Sequence, residues 1–200
     1  MRPTKRNSGS TKRTFRGKHR FEHWLRDNQV YFITARVRGK FPAFNTEEAK
    51  SVFWDAFEHY TVAHGFVPWV TSLLGNHYHT LGYLKLGTEL PRMMRGIHGR
   101  TAKRVNDLLV AEGLDRIKPF WIDSGRQNYF DGCIRDDLQA RRAYRYTLIQ
   151  SERHGVCDDW RTYDHTRVGL DIDRAVKRAL ELGAFMEGVR YKRYEGRHAD

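Results

Sequence analysis

The chain has 200 residues, with 36 Lys plus Arg against 24 Asp plus Glu and a formal net charge of +12. Apolar residues make up 40% and aromatics 13%, enough to bury a core and to argue against wholesale disorder, while the cationic excess makes polyanions the natural partners. No run approaches the roughly 18 apolar residues of a membrane span and no apolar stretch near the start could serve as a secretory signal, so a cytoplasmic protein with no membrane partner is expected.

Residues 1–20 carry Arg2, Lys5, Arg6, Lys12, Arg13, Arg16, Lys18 and Arg20 with no acid and little to bury. They read as a basic, disordered arm suited to salt-sensitive, non-specific phosphate contact. From Val30 to Val37 the β-branched and aromatic residues predict a central strand. Asn45 with Glu48 has the spacing of a capping box, and Ala49, Val52, Phe53, Ala56, Phe57 and Tyr60 follow at helical spacing until Gly65. Two apolar runs, 66–74 and 76–84, flank a Gly75-Asn76 turn signal and predict a hairpin.

Thr88 can cap a second helix, with Pro91 in its first turn and Leu90, Met94, Ile97, Thr101, Val105 and Leu108 on one face. Arg92, Arg95, Arg100, Lys103 and Arg104 cover much of the rest, either as a solvated face or as a phosphate-contact surface. One or two strands are expected between Pro119 and Ile134, with a turn at Asp123-Ser124-Gly125. Asp136 or Asp137 can cap a helix running to about His154, and Asp171 opens a further helix. Cys133 and Cys157 make no CxxC pair and read as small buried or half-buried side chains.

This order predicts an α+β, ferredoxin-like sandwich: a βαββαβ core, its antiparallel sheet with helices on one face, plus a C-terminal helical extension. The expected organisation is the basic arm at 1–20, one domain at 21–165, and a helix and basic tail at 166–200.

Strand alternation puts His77 and His79 on one face with Tyr78 on the other, a geometry that can chelate a metal or simply bury two histidines. Tyr146 and Gln150 stand four residues apart, so a helix stacks them on one side, away from the core stripe of Ala140, Tyr144, Leu148 and Ser151.

The segments Leu74-Gly75-Asn76-His77-Tyr78-His79-Thr80-Leu81, Met93 to Ala102, Phe120-Trp121 and Tyr146 to Val156, in that order, resemble the single-tyrosine HUH transposases, and most nearly their REP-associated tyrosine transposase branch. Gln150-Ser151 departs from the Asn-Pro pair common in that branch; a Gln there is similar to the insertion-sequence branch. The resemblance implies that Tyr146 is the nucleophile and that His77, His79 and Gln150 hold a divalent cation, Mg²⁺ or Mn²⁺. It implies a single-stranded DNA endonuclease and strand transferase that passes through a 5′-phosphotyrosine link during DNA transposition and recognises hairpin or palindromic DNA. A catalytically inactive or domesticated hairpin DNA-binding protein is the alternative. Arg92, Arg95, Arg100, Lys103 and Arg104 would grip phosphates, and Trp121, Tyr129 and Phe130 could stack on unpaired bases or belong to the core. A homodimer in which two protomers exchange the tyrosine helix is compatible with the sequence.

Overall fold

The computed structural model describes residues 25–121, 128–178 and 181–182. The basic arm, the Asp123-Ser124-Gly125 turn and the basic C-terminal tail lie outside the described residues.

Alternation along β1 (Gln29–Arg36) sends Tyr31, Ile33 and Ala35 into one apolar cluster and Val30 and Phe32 into another on the opposite face. β1 lies centrally, between β3 (His77–Leu84) and β4 (Phe130–Cys133), both antiparallel to it. β2 (Phe66–Leu73) pairs with the outer side of β3 through the expected hairpin, giving the order β4-β1-β3-β2. The first four strands have the ferredoxin-like arrangement.

β5 (Thr166–Val168) is an addition that the sequence pattern did not announce. It extends the sheet beyond β2, so the boundary expected at residue 165 falls just before a strand that belongs to the sheet. A polar clamp holds the approach to β5. The Trp54 indole N–H donates to His165 Nδ1 at 3.0 Å, and this tautomer lets His165 Nε2–H donate to a Glu47 carboxylate oxygen at 2.9 Å.

α1 (Glu47–Ala63) and α2 (Leu90–Ala111) pack on each other and on the Tyr31–Ile33–Tyr78 face. The cap of α1 is Thr46, one residue after the expected Asn45: its side-chain oxygen accepts from the Ala49 N–H at 3.2 Å. Thr88 does not cap α2; it lies in a 3-10 turn over Gly87–Glu89 that leads into the helix without a side-chain cap. The expected apolar stripe of α2 is buried from Leu90 to Val105, with Leu108 partly buried against the same cluster.

α3 (Asp137–Leu148), capped by Asp136 on the Gln139 N–H at 2.7 Å, covers the other face with Tyr144 against Val70 and Leu81. The two core helices thus share one face as expected, and the tyrosine-bearing helix lies on the opposite one. The helix expected to run on to His154 breaks at Ile149 (φ −89°, ψ 15°), after which α4 (Gln150–Arg153) ends at Gly155, whose φ is +65°. Between Phe120 and Ile134 only β4 is a strand among the described residues, with Trp121 making a single bridge to Val37.

β2 and β3 approach closely at a bulge between Pro68 and Val70, opposite Gly82. A Cβ on Gly82 would stand 2.5 Å from the Val67 carbonyl oxygen and 2.5 Å from the Phe66 ring. Because one of these neighbours is backbone, Gly82→Ala is expected to lower unfolding stability by about 1–3 kcal/mol through overpacking. An unchanged midpoint in urea denaturation would show that the strands can separate freely there.

Candidate active site

The sheet face under α3 brings together residues far apart in sequence. Register places His79 opposite Thr34 and His77 opposite Arg36, so the two imidazoles flank the end of β1. Both are buried, at 4% and 6% exposure for His77 and His79, with ring centroids 5.1 Å apart. The His79 ring stacks on Phe32 at 5.8 Å and meets the Tyr146 ring edge-on at 5.2 Å. Tyr146 is 37% exposed, so its phenol stands at the mouth of the site while the histidines form its interior.

Asn76 and His77 fix each other through a 2.6 Å contact between Asn76 Oδ1 and His77 Nδ1. With Nδ1–H donating to that oxygen, the lone pair of Nε2 is left to accept or ligate. The Nδ1 of His79 is buried without a hydrogen-bond partner among the described residues, a costly arrangement in a protein interior. Burial pushes His77 down to about 4, with the neighbouring His154 and Arg36 contributing in the same direction. Burial pushes His79 down to about 3, with His77, His154, Arg36 and Arg153 contributing in the same direction. Both rings are therefore neutral at physiological pH, the form that can ligate a metal.

Gln150 sits across the helix break. It is 1% exposed, not on the solvated side of the helix as the spacing rule implied, because the break at Ile149 re-aims it. Its amide nitrogen donates to the Tyr146 carbonyl at 2.7 Å, which ties the two residues together and leaves its side-chain oxygen as the atom suited to a cation. Among the described residues, no three His, Cys, Asp or Glu side chains gather to hold an ion. A cation here would accordingly rest on two imidazoles, an amide oxygen and oxygens supplied by substrate or water. The orphaned His79 nitrogen and the neutral imidazole pair fit such a role.

The positive groups around this site are not those singled out by the sequence. α2 is on the far side of the sheet, so Arg92, Arg95, Arg100, Lys103 and Arg104 do not line the Tyr146 face; Arg92 pairs with Glu89 at 2.8 Å and Lys103 with Asp107 at 3.4 Å. Arg36 instead sits at the end of β1 opposite His77, and the Arg153 guanidinium lies over the Tyr146 ring at 4.9 Å. His154, one turn after Gln150, brings its ring to 4.9 Å from His77. The helical offset of seven residues between Tyr146 and Arg153 was a usable signal; the Arg36 pairing was not, because it depends on strand register.

Of the expected stacking residues, Trp121 is buried at 4% exposure, its indole N–H donating to the His98 carbonyl at 3.1 Å, and Tyr129 packs on the same core cluster. Phe130 alone of the three lies on the Tyr146 side, along a groove shared with Phe32.

His98, stacked on Trp121 at 4.2 Å and bonded to the Tyr78 hydroxyl at 3.0 Å, is pushed down to about 3 by burial. For all three depressed histidines the unfolded chain takes up its protons first, near the ordinary value of 6.5. Stability is then complete above that value and falls as pH drops toward 4 and 3, by about 1.4 kcal/mol per pH unit for each group. Urea unfolding of the chelator-treated protein is expected to show this decline, and His98→Leu a shallower one. A profile flat from neutrality to pH ~5 would contradict the burial of these neutral rings.

Neither protein-family models nor curated proteins give a match to this chain. Among solved structures it is similar to a REP-associated tyrosine transposase bound to a REP hairpin, with a TM-score of 0.59 and 16% identity over 74% of this chain and 82% of that one. A Deinococcus radiodurans protein named as a candidate transposase also aligns, at TM-score 0.44 and 12% identity over 69% of this chain and 95% of that one. The chain therefore has the α+β fold of a REP-associated tyrosine transposase, with an open, five-stranded antiparallel sheet. Among the described residues no helix is long and apolar enough to cross a membrane.

Proposed function

We propose that this protein is a metal-dependent endonuclease and strand transferase that acts on single-stranded DNA beside a hairpin or palindrome, with Tyr146 as its nucleophile. The observation that carries the reading is the edge-on meeting of the exposed Tyr146 phenol with the buried His79 ring, 5.2 Å between centroids, beside His77 and Gln150. The likeness to a tyrosine transposase that was captured with a REP hairpin supports the substrate class.

In the proposed step the Tyr146 hydroxyl oxygen attacks a backbone phosphorus and gives up its proton to water, and the bond from phosphorus to the 3′-oxygen breaks as that oxygen takes a proton from water. The products are a 5′-phosphotyrosine link and a free 3′-hydroxyl. The bond energy is kept for the reverse, strand-joining reaction, and no external energy source is consumed. His77, His79 and Gln150 would hold the divalent ion, Mg²⁺ or Mn²⁺, which when bound supplies Lewis-acid polarisation of the phosphate. Arg153, over the phenol ring, and Arg36, beside the histidines, place positive charge where the phosphate must sit. Asn76 holds the His77 ring in one orientation, and the bond from Gln150 to the Tyr146 carbonyl fixes the helix end that carries the nucleophile.

The test is a covalent adduct. Incubation with a hairpin-flanked oligonucleotide and Mn²⁺ is expected to give a protein–DNA species that survives denaturing electrophoresis and carries the 5′ end of the cleaved strand. Salt-sensitive binding of the hairpin with no adduct under any divalent ion would replace the enzyme with a DNA-binding protein on the same fold.

A further inference from the structure

Beside Tyr146, on the side away from His77, a groove of about 440 Å³ runs between α3 and the β1–β4 edge of the sheet. Phe32 and Phe130 form its aromatic floor, Gln139 and Arg142 its rim, and the Tyr146 ring its inner end. Phe32 is shared with the candidate active site, since its ring meets Tyr146 at 6.0 Å and His79 at 5.8 Å. The groove exists because Gly132, opposite Phe32 in the register, has no side chain to fill it. Nothing in the backbone requires glycine there: its φ is not left-handed, and a Cβ would touch only the Phe130 ring at an ordinary 3.6 Å.

We propose that this groove seats one unpaired nucleobase of the DNA strand, next to the phosphate that Tyr146 attacks. The inference rests on the proposed function and adds the subsite that positions the substrate. Three features point to a base as the occupant. An apolar, aromatic floor stacks the π-face of any base. Arg142, exposed at the rim with no ion pair among the described residues, offers a cation to the adjoining phosphate. Joined end to end with the candidate active site through Phe32, the groove sets a stacked base beside the reacting phenol, which is how a flexible strand is held for in-line attack.

The test needs no knowledge of the target sequence. Affinities of wild type and Gly132→Leu are measured for an oligothymidylate and for an abasic phosphodiester chain of the same length and charge. A leucine at this position fills the groove. Wild type is expected to lose more affinity than the variant when the bases are removed, the difference being about 5- to 150-fold, the yield of one base–aromatic stack. Phe130→Leu, which keeps bulk but removes the π-face, is expected to reproduce part of this coupling, while Arg142→Gln lowers the salt dependence with the coupling intact. Equal losses in wild type and in both groove variants would overturn the proposal. So would a dimer of the free protein that Gly132→Leu dissociates, because the groove would then belong to a second copy. Adduct formation is scored separately: coupling without an adduct removes the nuclease but keeps the base site, and an adduct without coupling does the reverse.

Discussion

Tyr146→Phe is expected to abolish the covalent DNA adduct and strand cleavage outright while leaving fold and DNA affinity close to wild type. The substitution removes one oxygen and no packing. The phenyl ring keeps its edge-on contacts with His79 and Phe32 and its place under Arg153. No hydrogen bond of the hydroxyl is made among the described residues, so its loss leaves no buried partner stranded. Without the oxygen there is no atom to form the phosphotyrosine bond, and a neighbouring tyrosine cannot substitute: Tyr144 is on the core side of α3, buried against Val70 and Leu81. Cleavage assayed with end-labelled strands would decide the matter, since products formed by Tyr146→Phe at the wild-type rate would require water or another group as the nucleophile.

His79→Leu is expected to separate activity from stability. Its ring is buried, with Nδ1 unpartnered, and a neutral histidine held in that state costs the metal-free protein stability. A leucine there would pack on Phe32 with no polar atom to satisfy, and is expected to raise the stability of the metal-free chain by about 1–3 kcal/mol. Metal-dependent cleavage should fall by several kcal/mol of barrier, on the order of a hundredfold or more. A gain in unfolding midpoint paired with a loss of cleavage marks a residue retained for chemistry at a cost to the fold. Destabilisation with unchanged cleavage would instead assign His79 to the core. His77 lacks this signature because Asn76 already satisfies one of its nitrogens.

The elements with strong local patterns are legible in the amino-acid sequence: β1 from its β-branched run, α1 and α2 from their apolar spacing, and the β2–β3 hairpin from Gly75-Asn76. The same period-two logic that put His77 and His79 on one face and Tyr78 on the other holds in the sheet, where Tyr78 packs with Phe53 while His79 meets Tyr146 with His77 beside it. What escaped was decided by distant partners. β5 is three residues long and has no alternation of its own; it is a strand because Val70 to Ser72 offered an open edge. The break at Ile149 buried Gln150 where a continuous helix would have exposed it. The basic stripe on α2 is real, but a sequence does not say which side of a sheet a helix will take, and the cations near the phenol come from Arg36, Arg142 and Arg153 instead.

That separation has a consequence for any polyanion the molecule engages. The arginines of α2 look outward from one side of the sheet, and the phenol in front of its buried imidazoles looks outward from the other, with a full layer of packed backbone between them. A straight, stiff rod can lie along only one of these surfaces at a time. A ligand that touches both must contain a joint and fold around the rim of the protein, so the layout of charge favours a polymer with a rigid part and a pliable part over a uniform one.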